Sequence, residues 1–389
     1  MPTSTPSTSA VSRFPFLDLK AQYRTIKTEI DAAIQRVMES QQFILGPEVE
    51  GLEKEIAAHT QAPFAVACAS GSDALLLALM ALEVGPGDDV VTTPFTFVAT
   101  AGAITRLGAR PIFIDIDPNT YNLDPRKFAA AVTSKTKAII PVHLFGMSAD
   151  MDSLMEIAKA RGIPVIEDAA QAIGARYKGH PAGGFGVCGC FSFFPSKNLG
   201  GAGDGGMLTT GEAEFADRLR VLRNHGGHSK YECEVIGMNS RLDALQAAIL
   251  RVKLRYLDKW TDGRQKNATR YSELFKRRGL DRVITLPRVQ EGCSHIYNQY
   301  VIRAPRRDEL KEQLRRSGVP SEIYYPIPLH LQRAFAYLGY KLGDLPESEA
   351  ASREVLALPI FPEMTAEQQE LVVDAIAMFY RNDASDANR

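Results

Sequence analysis

The chain has 389 residues, and what it lacks excludes several classes of function. It has no surplus of either charge: 45 Lys and Arg stand against 46 Asp and Glu, a formal net charge of −1. Its basic residues are scattered, and no five consecutive positions hold more than three, as at 303–307. No nucleic-acid partner is expected from such a balance. No apolar run approaches the ~20 residues that a bilayer span needs, so no membrane partner is expected either. Residues 1–13 are rich in Ser, Thr and Pro and lack the apolar stretch of a secretory signal. They read as a disordered tail, as do residues 382–389. Cysteine is sparse and odd in number, five in all, and only Cys188 and Cys190 lie close together. That spacing makes neither a disulfide framework nor a zinc site, so reduced thiols in a cytoplasmic protein without a metal are the expectation.

What is present is a regular alternation. Short, nearly continuous apolar runs at 64–67, 89–93, 110–114, 138–142 and 164–167 read as strands buried on both faces. Helical patterns at 73–82, 96–107, 125–132 and 151–160 separate them, and further helices precede them across 15–45 and around 49–59. This order predicts an α/β fold with a mostly parallel sheet covered by helices. From 187 to 210 the chain turns Gly-rich and aromatic. A helix is predicted over 242–260, opened by Ser240-x-x-Asp243 as a capping box. Beyond it lies a smaller α/β unit with a strand at 297–303, a helix at 308–316 and a last helix at 366–379 behind Thr365-x-x-Gln368. The expected organisation is a large domain over 14–261 and a small one over 262–381.

In sheets of this kind ligands bind beyond the carboxyl ends of the strands, and three of the predicted strands carry unusual residues there. Ala67-Cys68-Ala69-Ser70-Gly71-Ser72-Asp73 runs from a strand through a small-residue turn into a helix, a cradle for a phosphate. A plain N-cap turn at Ser70 or Ser72 is the ordinary alternative. The strand at 164–167 ends in Glu167 and Asp168, and carboxylates at the end of an apolar strand are costly unless they have a task. Asp168 fits a protonated ring nitrogen, although a helix cap would use the same residue. Lys197 stands between the aromatic run 190–195 and a stretch with five glycines, 200–206. Burial there lowers an amine's pKa and makes it a nucleophile toward carbonyls. Ser192, five residues earlier, reaches toward the same phosphate.

Two patterns are set aside. Gly184-Phe-Gly186-Val-Cys-Gly189 matches G-x-G-x-x-G, but a loop precedes it and an aromatic β-like run follows, where a dinucleotide site needs strand then helix. His225 and His228 have no third ligand nearby in sequence, so a loop facing substrate or solvent is expected.

Together these segments resemble the DegT/DnrJ/EryC1/StrS family of nucleotide-sugar aminotransferases, which depend on pyridoxal 5′-phosphate and have the aspartate-aminotransferase (type I) fold. The resemblance runs from about Phe14 to Tyr380. It rests on the segment from Val165 to Gln171, on that from Phe191 to Gly200 and on that from Gly237 to Ala248. It implies that Lys197 is the Schiff-base lysine and proton shuttle. Asp168 would pair with the pyridinium nitrogen and Gln171 with the ring hydroxyl. Gly71, Ser72 and Ser192 would bind the phosphate. Phe97 would stack on the ring, with Phe95 as the alternative register. Asn239 would reach the phosphate of the neighbouring subunit, making the protein a homodimer with shared sites. Arg241 matches a position that handles substrate carboxylates.

The resemblance further implies an amino-acid donor, L-glutamate, and a nucleotide-linked 3-oxo sugar as acceptor, in cell-surface polysaccharide (O-antigen) or glycoside biosynthesis. Tyr324 and Tyr325 fall among the substrate-binding positions. Relatives acting on UDP-linked 3-oxo-glucuronates carry His before the Tyr-Pro-Ile-Pro run, whereas this chain has Tyr324, which brings in a dTDP-3-oxo-6-deoxyhexose as a second candidate. A sugar dehydratase, in which His replaces the Schiff-base lysine, and a non-catalytic regulatory protein are the alternatives. Lys197 speaks against the first and the full set of site residues against the second.

Overall fold

The computed structural model describes residues 12–229 and 231–386, with side chains through 381. Of the tails expected at 1–13 and 382–389, residues 1–11 and 387–389 lie outside the described residues. Arg13 already belongs to the fold, its N–H donating to the Gly318 carbonyl at 2.9 Å. The last helix continues to Asp386, past the expected end of the folded chain at 381.

Helices α1 (Leu19–Ser40) and α2 (Pro47–Thr60) lead into the sheet. In α1 the buried Ile26, Ile30, Ala33 and Val37 form one stripe at helical spacing, and Asp18 caps its start through the Ala21 N–H. Then follow β1 (Phe64–Cys68), α3 (Gly71–Ala81), β2 (Asp89–Thr92), α4 (Val98–Arg106), β3 (Arg110–Phe113) and α5 (Pro125–Ala131). Next come β4 (Thr136–Ile139), α6 (Met151–Arg161), β5 (Ile166–Asp168), a small hairpin of β6 (Arg176–Tyr177) and β7 (His180–Pro181), then β8 (Cys188–Ser192) and β9 (Gly206–Thr210).

Hydrogen-bonded neighbours give the orders β1-β9-β8-β5 and β3-β2-β4. Parallel bridges Ile139↔Val165 and Val142↔Asp168 join the two into one sheet, β1-β9-β8-β5-β4-β2-β3. Only β9 runs antiparallel to its neighbours. Both faces are covered, as the apolar runs require. Along β1, Val66 and Cys68 pack with α3 and α7 (Ala213–Arg223), while Ala65 and Ala67 pack on the opposite side with α2 and α8 (Ala244–Leu254). The Gly-rich aromatic stretch is therefore sheet: β8 and β9 bury Phe191 and Met207 completely.

The helix expected over 242–260 is two. Helix α8 ends at Leu254, and α9 (Leu257–Arg277) begins after a short break. The domain boundary placed at 261/262 falls inside α9, whose Trp260 packs with α1 and α8 while Ala268, Tyr271 and Phe275 enter a second core. That core also holds β10 (Tyr300–Arg303), α10 (Arg307–Arg316), β11 (Val355–Leu358) and α12 (Ala366–Asp386), with α11 (Pro346–Glu354) leading into β11. Phe14 packs there too, so the chain's start rests on its C-terminal part. Thr365 and Gln368 exchange hydrogen bonds of 2.9 and 3.3 Å, a reciprocal cap on α12. Ser240 does not cap α8; its hydroxyl is engaged elsewhere. Among the described residues no helix is long and apolar enough to cross a membrane.

Candidate active site

A cavity of about 590 Å³ opens beyond the carboxyl ends of β1, β5 and β8. The fold brings Gly71, Ser72, Phe97, Asp168, Gln171, Ser192, Lys197, Tyr324 and Tyr325 to its walls. Asn239 and Arg241 are not on them. Asn239 is exposed on the strand-like run before α8, bridged to Asn224, and Arg241 donates to the Asn224 side-chain oxygen at 3.0 Å. Phe95 sits fully buried among Tyr121, Phe145 and Tyr325, whereas Phe97 is 57% exposed at the start of α4.

The turn after β1 is built to receive an anion. The first amides of a helix have no partner inside it. Ser70, at the cap of α3, takes one of those: its hydroxyl accepts from the Asp73 N–H at 3.1 Å, while its carbonyl accepts the first bond of the helix, from the Ala74 N–H at 2.9 Å. The amides of Gly71 and Ser72 are left for the cavity, with the positive end of the helix behind them. A side chain at Gly71 would put its Cβ 2.6 Å from that of Ser192, so only glycine lets α3 approach the end of β8 this closely. Ser240 fastens the same turn from across the sequence. Its hydroxyl accepts from the Ala69 N–H at 3.1 Å and donates to Asp73 at 2.7 Å.

Asp168 ends β5 and is 5% exposed. Thr100 donates to one carboxylate oxygen at 2.7 Å and the Ala170 N–H to the other at 3.2 Å. Burial raises its pKa, and these two donors with the charge of Lys197 pull against that rise. A buried carboxylate with two donors on a cavity wall has room for a cationic N–H. Burial also lowers the Lys197 amine to about 8, against the opposing pull of Asp168. The amine is thus closer to its nucleophilic free-base form than a surface lysine. Gln171 is oriented by the Phe145 N–H, which donates to its Oε1 at 2.8 Å; its Nε2 donates to the Tyr325 hydroxyl at 3.1 Å.

The neighbouring Glu167 has another task. It is fully buried and accepts the amides of Gly183, Phe185 and Gly186 at 2.7, 2.7 and 2.9 Å. His143, whose Nδ1 accepts from the Ala149 N–H, has its Nε2 at 2.9 Å from Glu167. The G-x-G-x-x-G segment thus wraps a carboxylate of the chain itself. At Gly186 a Cβ would lie 2.2 Å from the Val165 carbonyl, which explains the glycine without any nucleotide. Thr100 escaped the sequence reading. Its signal was a pair of threonines four apart, Thr96 and Thr100, at the opening of an apolar helix; their hydroxyls lie 3.0 Å apart.

A phosphate-ready turn, a carboxylate for a ring nitrogen and a depressed lysine share one cavity, and this set fits pyridoxal phosphate. The model of the DegT/DnrJ/EryC1/StrS aminotransferase family matches residues 24–377. The chain belongs to this family. It is 54% identical to a Geobacillus stearothermophilus protein named a pleiotropic regulatory protein, over 95% of this chain and 99% of that one. It is 47% identical to a UDP-N-acetyl-3-dehydro-α-D-glucosamine 3-aminotransferase of Acidithiobacillus ferrooxidans, over 91% and 94%. Among solved structures, that of S. venezuelae DesV in complex with a ketimine intermediate superposes with a TM-score of 0.92 at 44% identity, covering 95% of this chain and 99% of that one. As a member of this aminotransferase family the chain is an enzyme with the type I fold, and its cofactor is pyridoxal 5′-phosphate.

Proposed function

We propose that this aminotransferase moves the amino group of L-glutamate to C3 of a nucleotide-linked 3-oxo sugar, in the cytoplasm, as a homodimer with shared sites. The observation that carries the reading is the convergence of Lys197, Asp168, Gln171 and the start of α3 on one cavity. The acceptor class is supported by the Acidithiobacillus relative, named for a UDP-linked 3-oxo sugar. The UDP-2-acetamido-3-oxo sugars come first and the dTDP-3-oxo-6-deoxyhexoses second.

The bound cofactor supplies a carbonyl that exchanges amines and a ring that takes up electrons from the substrate carbon. The chain's residues do the rest. Asp168 holds the ring nitrogen's proton, and Thr100 holds Asp168. The Gly71 and Ser72 amides with the Ser192 hydroxyl bind the phosphate, and Phe97 covers the ring. Lys197 Nζ takes a proton and returns it, a role its lowered pKa suits near neutral pH.

Among the described residues lining the cavity, Lys197 is the one cation. A phosphate and a donor carboxylate need more positive and donor groups than one protomer offers there. Asn239 and Arg241, which lie off their own cavity, are assigned to the neighbour's site. With Tyr324 where uronate enzymes carry His, this supports an acceptor without a carboxylate, Arg241 gripping the donor's. The name of the Geobacillus relative does not turn the reading, because a purely regulatory protein has no use for a depressed amine beside a buried carboxylate.

The test is turnover. Protein loaded with pyridoxal phosphate is given glutamate, then a panel of UDP- and dTDP-linked 3-oxo sugars. Amination of a 3-oxo sugar is expected. Acceptance of glutamate with no sugar in the panel aminated would sink the substrate class. An active monomer in sedimentation would sink the shared site.

A further inference from the structure

Tyr325 was placed with the substrate on resemblance, but its hydrogen bonding points elsewhere. Gln171 offers its amide oxygen to the Phe145 N–H, so its Nε2 can only face the cavity and Tyr325. One Nε2 proton goes to the Tyr325 hydroxyl at 3.1 Å, and the other is free for a ligand. A hydroxyl that accepts from Gln171 still has its own proton to give. Among the described residues no protein acceptor takes it, and Tyr325 lines the cavity. Its ring is fixed by Phe95, edge-on at 6.1 Å between centroids, and by Phe97 at 6.5 Å. Burial holds the phenol well above its ordinary pKa, so the proton is there to donate.

We propose that Tyr325 is a cofactor-contacting donor, which with Gln171 forms a two-proton clamp on the phenolic oxygen of the cofactor ring. This rests on pyridoxal phosphate occupying the cavity, as in the proposed function. Two neutral donors stabilise an oxyanion most when no neighbouring cation compensates it. They therefore favour loss of the proton from the nitrogen linking Lys197 to the cofactor, and they lower the pH at which that loss occurs. The titratable groups facing this space are Asp168 on β5, Lys197 and Asp204 between β8 and β9, and Tyr324 beside Tyr325; His143 stands behind, beside Glu167. None of these is altered when the Tyr325 hydroxyl is removed.

The experiment is a pH titration of the visible absorption of the loaded protein without substrate. Tyr325→Phe is expected to move the midpoint up by about one unit, a tenfold change in proton affinity. Replacing Tyr325 with a fluorotyrosine, a more acidic phenol of nearly the same shape, is expected to move it down. That opposite shift is one a packing role cannot produce, and it does not depend on how well the Phe variant folds. An unchanged midpoint in Tyr325→Phe with the visible band intact overturns the clamp. So does a variant whose only change is a raised KM for the sugar, which would return Tyr325 to the substrate. No visible band in the unaltered protein would overturn the cofactor reading itself.

Discussion

Glu167 and Asp168 are neighbours on β5, yet four donors from Gly183, Phe185, Gly186 and His143 surround the first, while two from Thr100 and Ala170 meet the second beside a cavity. Because strand side chains alternate, one carboxylate points into the loop that feeds β8 and the other toward the ligand. The difference separates a carboxylate that holds the fold from one that does chemistry. A buried group whose hydrogen-bonding capacity is filled by the chain has nothing left for a substrate. A group left partly open has been kept for one.

The comparison can be broken first at Lys197, which shares the open side. Lys197→Ala is expected to lose activity by a factor on the order of 10²–10⁴ from proton transfer alone, and more with the nucleophile gone. Borohydride should no longer fix pyridoxal to the chain, which mass spectrometry of digests reports. An intact midpoint of thermal unfolding would confine the damage to chemistry.

The two carboxylates themselves give the sharpest contrast. Asp168→Asn should cut kcat by a factor on the order of 10²–10³ with little loss of stability. Glu167→Gln should do the reverse, costing about 2–3 kcal/mol because an amide cannot accept all the donors now satisfied. Denaturant unfolding and steady-state rates on both variants settle it. Equal losses of stability would erase the distinction.

The open side also has a signature in pH. The folded pKa of Lys197, about 8 in the cofactor-free protein, lies below the unfolded value of 10.5. Between those values the unfolded chain binds more protons, so this lysine makes stability rise with pH. The slope from one such proton is at most roughly 1.4 kcal/mol per pH unit. Lys253, depressed to the same degree by burial, contributes with the same sign. Lys197→Met should therefore reduce the slope of cofactor-free stability above pH 8 without removing it, and an unchanged slope would contradict the burial of Lys197.

The smallest effect is expected at Thr100. Thr100→Val removes one donor from Asp168 while keeping the shape, and activity should fall about fivefold, the worth of one hydrogen bond. Rescue by Thr100→Ser would show that the hydroxyl matters.

Much of this arrangement was legible in the sequence because it follows local rules. Apolar runs placed β1 through β5, and small residues after β1 marked the turn at Gly71. What stayed hidden depends on partners distant in the chain. Nothing local says that Ser240 reaches back to Ala69 rather than capping α8, or that a Gly-rich segment closes around Glu167. Helix α7 went unread although its buried Phe215, Leu219 and Leu222 stand at helical spacing, and the glycines at 200–206 masked the start of β9. The division near 261 falls within α9, whose unbroken helical pattern serves two cores at once and leaves no local mark of a boundary.

Ser240 also bears on how the protein is made. It touches Ala69 and Asp73 across 171 and 167 positions of chain. Closing a loop of that length costs entropy before the contact returns any stability, so such contacts come late in folding. The turn at 69–73 emerges early from the ribosome, but it takes its finished form only after the whole central sheet has been synthesised and joined. Cofactor uptake then belongs to the completed molecule: a nascent chain ending before residue 240 should bind it poorly, although most of the ligand-facing residues are already present.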